Sequence, residues 1–153
     1  MPPPRKILLA RPHAFIVSEI RTFLEHAGYA PEKADSVADI ESSRHGALAG
    51  AIVSTAVVSS IGASAEEVFA ALRRKYPRLP VLFAGLVDFA KMQDLVRRIV
   101  APLHADAQIL PMAPATESHA GLGRENVFPV LRKEDLAPGD AAALAARIVR
   151  RHF

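Results

Sequence analysis

Four short apolar runs, Ile7 to Ala10, Ala51 to Ser54, Val81 to Ala84 and Ala107 to Leu110, are each followed by a helical pattern, and none of their exits carries an acid. Strands that lack polar alternation are buried on both faces, and strands that alternate with helices are joined by right-handed crossovers. A doubly wound α/β sheet with helices on both sides, three layers in all, satisfies both conditions. Such sheets bind ligands at the carboxyl ends of their strands. Here that edge holds Arg11, Pro12, Thr55, Gly85 and Pro111.

The intervening segments fill in the scheme. Ile16, Ile20, Phe23, Leu24 and Ala27 form one stripe of an amphipathic helix that ends at Gly28. Tyr29 to Ala34 is a weaker strand pattern, and Ser36 caps a short helix through about His45, stopped by Gly46. Ser64 and Glu67 form a capping box for a helix whose apolar face is Ala65, Val68, Phe69, Leu72 and Tyr76. Phe89, Met92, Val96 and Ile99 mark a helix from about Asp88 to Val100, and Asp140 is expected to cap the last helix, Asp140 to Arg151. Residues 111–138 form an extended loop insertion in which Val127 to Leu131 is expected to pair at a sheet edge or cover one, and Met112 to Arg124 to be mobile. The whole of 1–153 is expected to form one domain.

Composition narrows the chemistry further. With no cysteine in the chain, a disulfide scaffold, a zinc-thiolate centre and a cysteine nucleophile are all excluded. Met1 to Lys6 precede an apolar run too short for a signal segment or a membrane span, which places the chain in the cytoplasm with no membrane partner. The net charge of +3 comes from scattered Lys and Arg, which permits nucleic acid as a partner without calling for it. The histidines at 13, 26, 45, 104, 119 and 152 never reach a zinc-ligand spacing; His26 and His45 are expected at helix ends, where positive charge is mildly favoured. No metal and no cofactor is expected. Ser54, Ser59, Ser60 and Ser64 contain no nucleophile-elbow pattern and fit a polar loop plus a cap. Gly121-Leu-Gly123 lacks the flanking strand and helix of a nucleotide fingerprint.

Lys6-Ile-Leu-Leu-Ala-Arg-Pro12, Gly50-Ala-Ile-Val-Ser-Thr55, Leu79-Pro-Val-Leu-Phe-Ala-Gly85 and His104-Ala-Asp-Ala-Gln-Ile-Leu-Pro-Met112 resemble the first, third, fourth and fifth strands of the receiver domain of bacterial two-component response regulators. That domain is the CheY-like form of the flavodoxin-like fold. The resemblance covers Lys6 to about Met112 and resumes at the last helix. It implies a five-stranded, mainly parallel sheet in the order 2-1-3-4-5, with an extra edge strand near Val127–Leu131. It also implies that the magnesium-binding acids are replaced by Arg11 and Pro12, the phospho-acceptor by Thr55, the switch hydroxyl by Gly85 and the phosphate-contacting lysine by Pro111. A second register, with Val130-Leu-Arg-Lys133 as the fifth strand, restores that lysine as Lys133. Ala107 to Leu110 is preferred because it follows the preceding helix at ordinary loop length. Either way the carboxylates that would retain Mg²⁺ are missing, and autophosphorylation is not expected.

Two roles are open to Arg11. It could anchor an anion site with His13, Ser54, Thr55 and, in the second register, Lys133, or it could pair with Asp88 or another acid across the sheet edge. Arg97, Arg98, Arg147, Arg150 and Arg151, near the carboxyl ends of the last two helices, complement the helix dipoles and offer a basic surface for a protein partner or a second copy. The expectation is a non-catalytic, non-phosphorylatable receiver-like module with no output domain after Phe153, acting through protein interaction or dimerisation. The alternative is a sensor or enzyme for a small anion or nucleotide at the Arg11, His13, Thr55 and Gly85 edge.

Overall fold

The computed structural model describes residues 4–57, 59 and 61–153; Met1 to Pro3, the start of the segment read above as no signal sequence, and Ser60, read as part of a polar loop, lie outside the described residues. The chain runs β1 (Arg5–Arg11), a π-helical turn (Ile16–Ile20) continuing into α1 (Arg21–His26), β2 (Tyr29–Lys33), α2 (Val37–Glu41), β3 (Gly50–Ser54), α3 (Ala65–Lys75) and β4 (Val81–Gly85). It continues with α4 (Phe89–Val100), β5 (Gln108–Leu110), α5 (Pro114–Glu117), β6 (Val127–Arg132), a 3-10 turn (Lys133–Leu136) and α6 (Asp140–His152). The fold is the doubly wound α/β class, with a six-stranded sheet in the order β2-β1-β3-β4-β6-β5 and every neighbouring pair parallel.

The alternation of side chains along the strands splits the core in two. Leu8, Ala51, Val53, Val81, Phe83, Phe128 and Val130 face α2, α3 and α4, while Ile7, Leu9, Ile52, Leu82, Ala84 and Leu131 face α1 and α6. On the first side the rings of Phe69, Phe83 and Phe128 meet with centroids 5.6 to 5.8 Å apart, and all three side chains are fully buried. Each contributes on the order of 2–3 kcal/mol by leaving water.

The strand beside β4 is β6, not the Ala107–Leu110 segment expected there; that segment, as β5, is the edge. The exchange has a local cause in the pairing of β6. Its first half, Val127 to Pro129, is opposite Gln108 to Leu110 of β5, and its second half, Val130 to Arg132, is opposite Phe83 to Gly85 of β4. Pro129, which has no N–H to donate, falls where the pairing passes from one neighbour to the other. Loop length, on which the expectation rested, limits how far a segment can travel but does not decide which of two following strands takes the place beside β4.

Three further expectations are corrected. Met112 to Arg124 is built into the fold: α5 lies in it, Thr116 is buried, and Glu117 Oε2 accepts from Arg147 Nε of α6 at 3.0 Å. The helix capped by Ser36 ends at Glu41, so His45 is not at a helix end. Asp140 is the first residue of α6, with Gly139 at the cap, where its φ of +102° favours glycine. Ser64 does accept from Glu67 N, and Asp88 caps α4 by accepting from Lys91 N at 3.0 Å.

Candidate functional site

The carboxyl edge of the sheet is assembled from the ends of β1, β3 and β4. A register shift between Leu9 and Arg11 in the β1–β3 pairing turns Arg11 toward the loop that follows β3. There its guanidinium is buried and tied to main-chain oxygens: Nε donates to Ala63 at 2.8 Å, Nη1 to Ser54 at 2.9 Å and to Ala56, and Nη2 to Val57 at 3.2 Å. Of the five N–H donors of a guanidinium, a single one on Nη2 is left for anything else. Burial lowers the Arg11 pKa, opposed by the charge of Glu66. Asp88, expected as a pairing partner, is occupied as a helix cap.

The remaining rim is packed rather than open. Thr55 N donates to Ala84 O at 2.9 Å, and its hydroxyl faces Ala84 O at 3.4 Å and Met92 Sδ at 3.3 Å. A Cβ on Gly85 would fall 2.5 Å from both Met92 Sδ and Thr55 Oγ1, so the position can hold nothing larger than glycine. Ser54 Oγ accepts from Ala56 N at 3.1 Å, Pro12 O accepts from Ser59 Oγ at 2.8 Å, and His13 Nδ1 accepts from Phe15 N at 3.4 Å. A cavity of about 180 Å³ remains beside Arg11, with Glu66 among its lining residues. It brings together Arg11, Thr55 and Ser64, and an acid, which does not suit an anion.

The corrected strand order also moves the phosphate-contacting position. Pro111 follows the edge strand, whereas Arg132 is directly opposite Gly85 and Lys133 is next to it. Lys133 is turned to Glu19 of the π-helical turn, 3.5 Å away, and Arg132 N is held by Asp135 Oδ2 at 2.8 Å. Neither cation is brought to Arg11's partners.

The arginines of the last two long helices do not form one surface. α4 packs on the Phe69 side of the sheet and α6 on the opposite side, with β5 and α5 beside the edge between them. Arg147 is paired with Glu117, Arg151 donates to Glu117 O, and Arg97 reaches Ala107 O at 3.5 Å. Arg97, Arg98, Arg147, Arg150 and Arg151 all remain exposed.

Buried polar groups that the sequence did not single out hold other parts of the frame. Arg73 donates to His104 Nε2 at 2.8 Å, Leu79 O at 2.8 Å and Glu125 O at 2.5 Å, and burial brings its pKa down to about 10. His45 is fully buried, with Nδ1 2.5 Å from Glu32 and Nε2 3.0 Å from Asp39, whose pKa the Arg44 guanidinium lowers. His152 Nδ1 accepts from Gly123 N at 2.9 Å while Nε2 donates to Val81 O at 3.1 Å. Helical periodicity places Arg73 beside apolar positions Phe69 and Leu72, which was the available signal; nothing local marks His45. Among the described residues no group of three or more His, Asp or Glu is placed to hold a metal ion, and no helix is long and apolar enough to cross a membrane.

No protein-family model matches the chain and no curated protein does so at significance. Solved structures do match over nearly the whole length. A response regulator receiver protein from Sinorhizobium medicae is 16% identical with a TM-score of 0.54, covering 97% of this chain and 94% of its own. The chemotaxis protein CheY4 of Vibrio cholerae is 14% identical with a TM-score of 0.57, covering 97% and 98%, and a sensor protein from Polaromonas is 16% identical with a TM-score of 0.57, covering 99% and 97%. The sheet order, the two helical layers and these likenesses together establish that the chain has the CheY-like receiver fold of response regulators.

Proposed function

We propose that this protein is a receiver-like signalling module that acts by binding a protein partner or a second copy of itself and does not carry out phosphotransfer. One observation carries the proposal: four of the five N–H donors of Arg11 are taken by the carbonyls of Ser54, Ala56, Val57 and Ala63 at the edge where a receiver needs carboxylates. Phosphoryl transfer from a small donor requires Mg²⁺ on hard oxygen ligands beside an activated nucleophile; Arg11 and Pro12 supply no such ligand, and Thr55 replaces a carboxylate with an unactivated hydroxyl. The hydroxyl of Thr55, turned into the Met92 contact, has no base beside it.

Binding is supported by what is exposed at the same edge. Val57 on the loop after β3 is 95% exposed, and Leu86 on the loop after β4 is 53% exposed. These two side chains follow neighbouring strands of the sheet and offer apolar contact to a partner at its carboxyl edge. A small-anion sensor at this edge is the competing reading, and the occupied donors of Arg11 count against it.

Incubation with acetyl phosphate and Mg²⁺, followed by intact-mass analysis, tests the proposal. The expected product is unmodified protein. A base-labile phosphoprotein at stoichiometric level would refute it.

A further inference from the structure

A second and roomier cavity lies at the other end of the sheet. It is an open groove of about 700 Å³ where the strands begin, bordered by Arg5 at the start of β1, Ala49 before β3, and Leu79 and Pro80 before β4. Four cations line it, each from a different segment: Arg5 from β1, Lys75 from the end of α3, Arg78 from the α3–β4 loop and Arg151 from α6. No acidic side chain lines it.

Three of these charges, on Lys75, Arg78 and Arg151, meet no acidic side chain among the described residues. Arg5 donates to the main-chain oxygen of Phe153 at 2.8 Å, Lys75 to the hydroxyl of Ser43 at 3.2 Å, and Arg151 to the carbonyl of Glu117. Arg74, one residue before Lys75, does meet an acid, Glu41, at 3.1 Å. The floor between the cations is apolar and partly aromatic, with Leu48, Tyr76, Pro77 and Phe153. Its back wall is rigid, because His152 is fastened to both Gly123 and Val81.

We propose that this groove binds a nucleotide-class ligand, a phosphorylated small molecule with a planar apolar body, whose phosphates lie among Lys75, Arg78 and Arg151 and whose ring rests on the apolar lining of Leu48, Tyr76 and Pro77. The volume falls within that of ordinary small-molecule sites, which combine an apolar lining with a few convergent polar groups. Guanidinium groups suit phosphate oxygens, and several cations without acids select a polyanion over a monocarboxylate. No metal ion is needed, since the charge is supplied by side chains. The site stands apart from the carboxyl edge, so its presence or absence leaves the reading of Arg11 and Thr55 untouched.

Titration of the full chain with ADP in EDTA, followed by amide NMR shifts and by thermal melting, tests this. Saturable binding is expected, with shifts centred on Ala49 and Gly123 and a raised melting temperature. Adenosine and pyrophosphate, the two halves of the ligand, should each bind at least about tenfold more weakly. Exchanging Arg78→Ser and Arg151→Ser together should weaken ADP by at least about tenfold. Removing the same charge elsewhere, with Arg97→Ser and Arg98→Ser, should leave binding unchanged. Both pairs are exposed, and a melting curve without ligand confirms that each variant is folded. Absence of saturable ADP binding, pyrophosphate binding as well as ADP, equal losses in the two double variants, or shifts centred on Thr55 and Gly85 would each overturn the proposal.

Discussion

Gly50 lies flat against the ring of Phe153: a Cβ at residue 50 would fall 2.2 Å from Cδ1 of that ring. The ring in turn meets Tyr29 edge-on at 6.2 Å, so the first residue of β3, the start of β2 and the last residue of the chain form one packed unit. Gly50→Ala is therefore expected to destabilise the fold by about 1–3 kcal/mol, as overpacking of a closed core does. Urea denaturation measures this, with Gly46→Asn, at an open position with φ of +67°, as a near-neutral control.

Arg11 fastens the loop after β3 through four hydrogen bonds to main-chain oxygens. Arg11→Ala is expected to cost about 2–3 kcal/mol, because several part-buried carbonyls lose their donor at once. Hydrogen exchange should rise selectively across Ala56 to Ala63. Unchanged protection there would show that the loop is held by other means.

Restoring a switch hydroxyl should damage the protein. Gly85→Ser puts an atom 2.5 Å from Met92 Sδ and Thr55 Oγ1, and a loss of about 1–3 kcal/mol is expected by denaturation. Adding Met92→Ala, which removes one of the two obstructing side chains, should cost less in the Gly85→Ser background than in the native chain. Additive losses in that cycle would mean the two residues do not compete for space.

Burial brings His152 down to about 4, with the charge of Arg73 acting in the same direction and the Val81 carbonyl opposing. The folded state thus favours the neutral ring, and the unfolded chain, titrating near about 6.5, takes up the proton first. Stability is full above that value and falls as the pH drops toward about 4, by on the order of 3 kcal/mol from this group. His104, lowered by burial and by Arg73, adds to the same trend. Urea midpoints from pH 7.5 to 4.5 check the slope, which should flatten in His152→Gln.

Much of the frame was legible in the sequence because buried parallel strands are continuous apolar runs and their helices are amphipathic. Ile7 to Ala10, Ala51 to Ser54 and Val81 to Ala84 all sit in the expected strands, and the Ser36 and Ser64 caps start their helices. Where the sequence misled, a local signal opposed a tertiary one. Loop length favours Ala107 to Leu110 beside β4, yet the short β5 takes the edge and leaves Val130 to Arg132 free to pair with β4. The candidate site was legible as a list of replaced residues. Its chemistry was not, since only the register shift beside Ala10 decides that Arg11 turns into a loop instead of toward solvent.

The Arg11 clasp also bears on timing. A receiver that is switched must have a loop free to take two positions, whereas a guanidinium keeps its proton throughout the physiological pH range and peptide oxygens have none to lose. No kinase, phosphatase or shift in acidity acts on such a fastening. The turn that follows β3 is in that sense a fixed mount, released only when the protein unfolds.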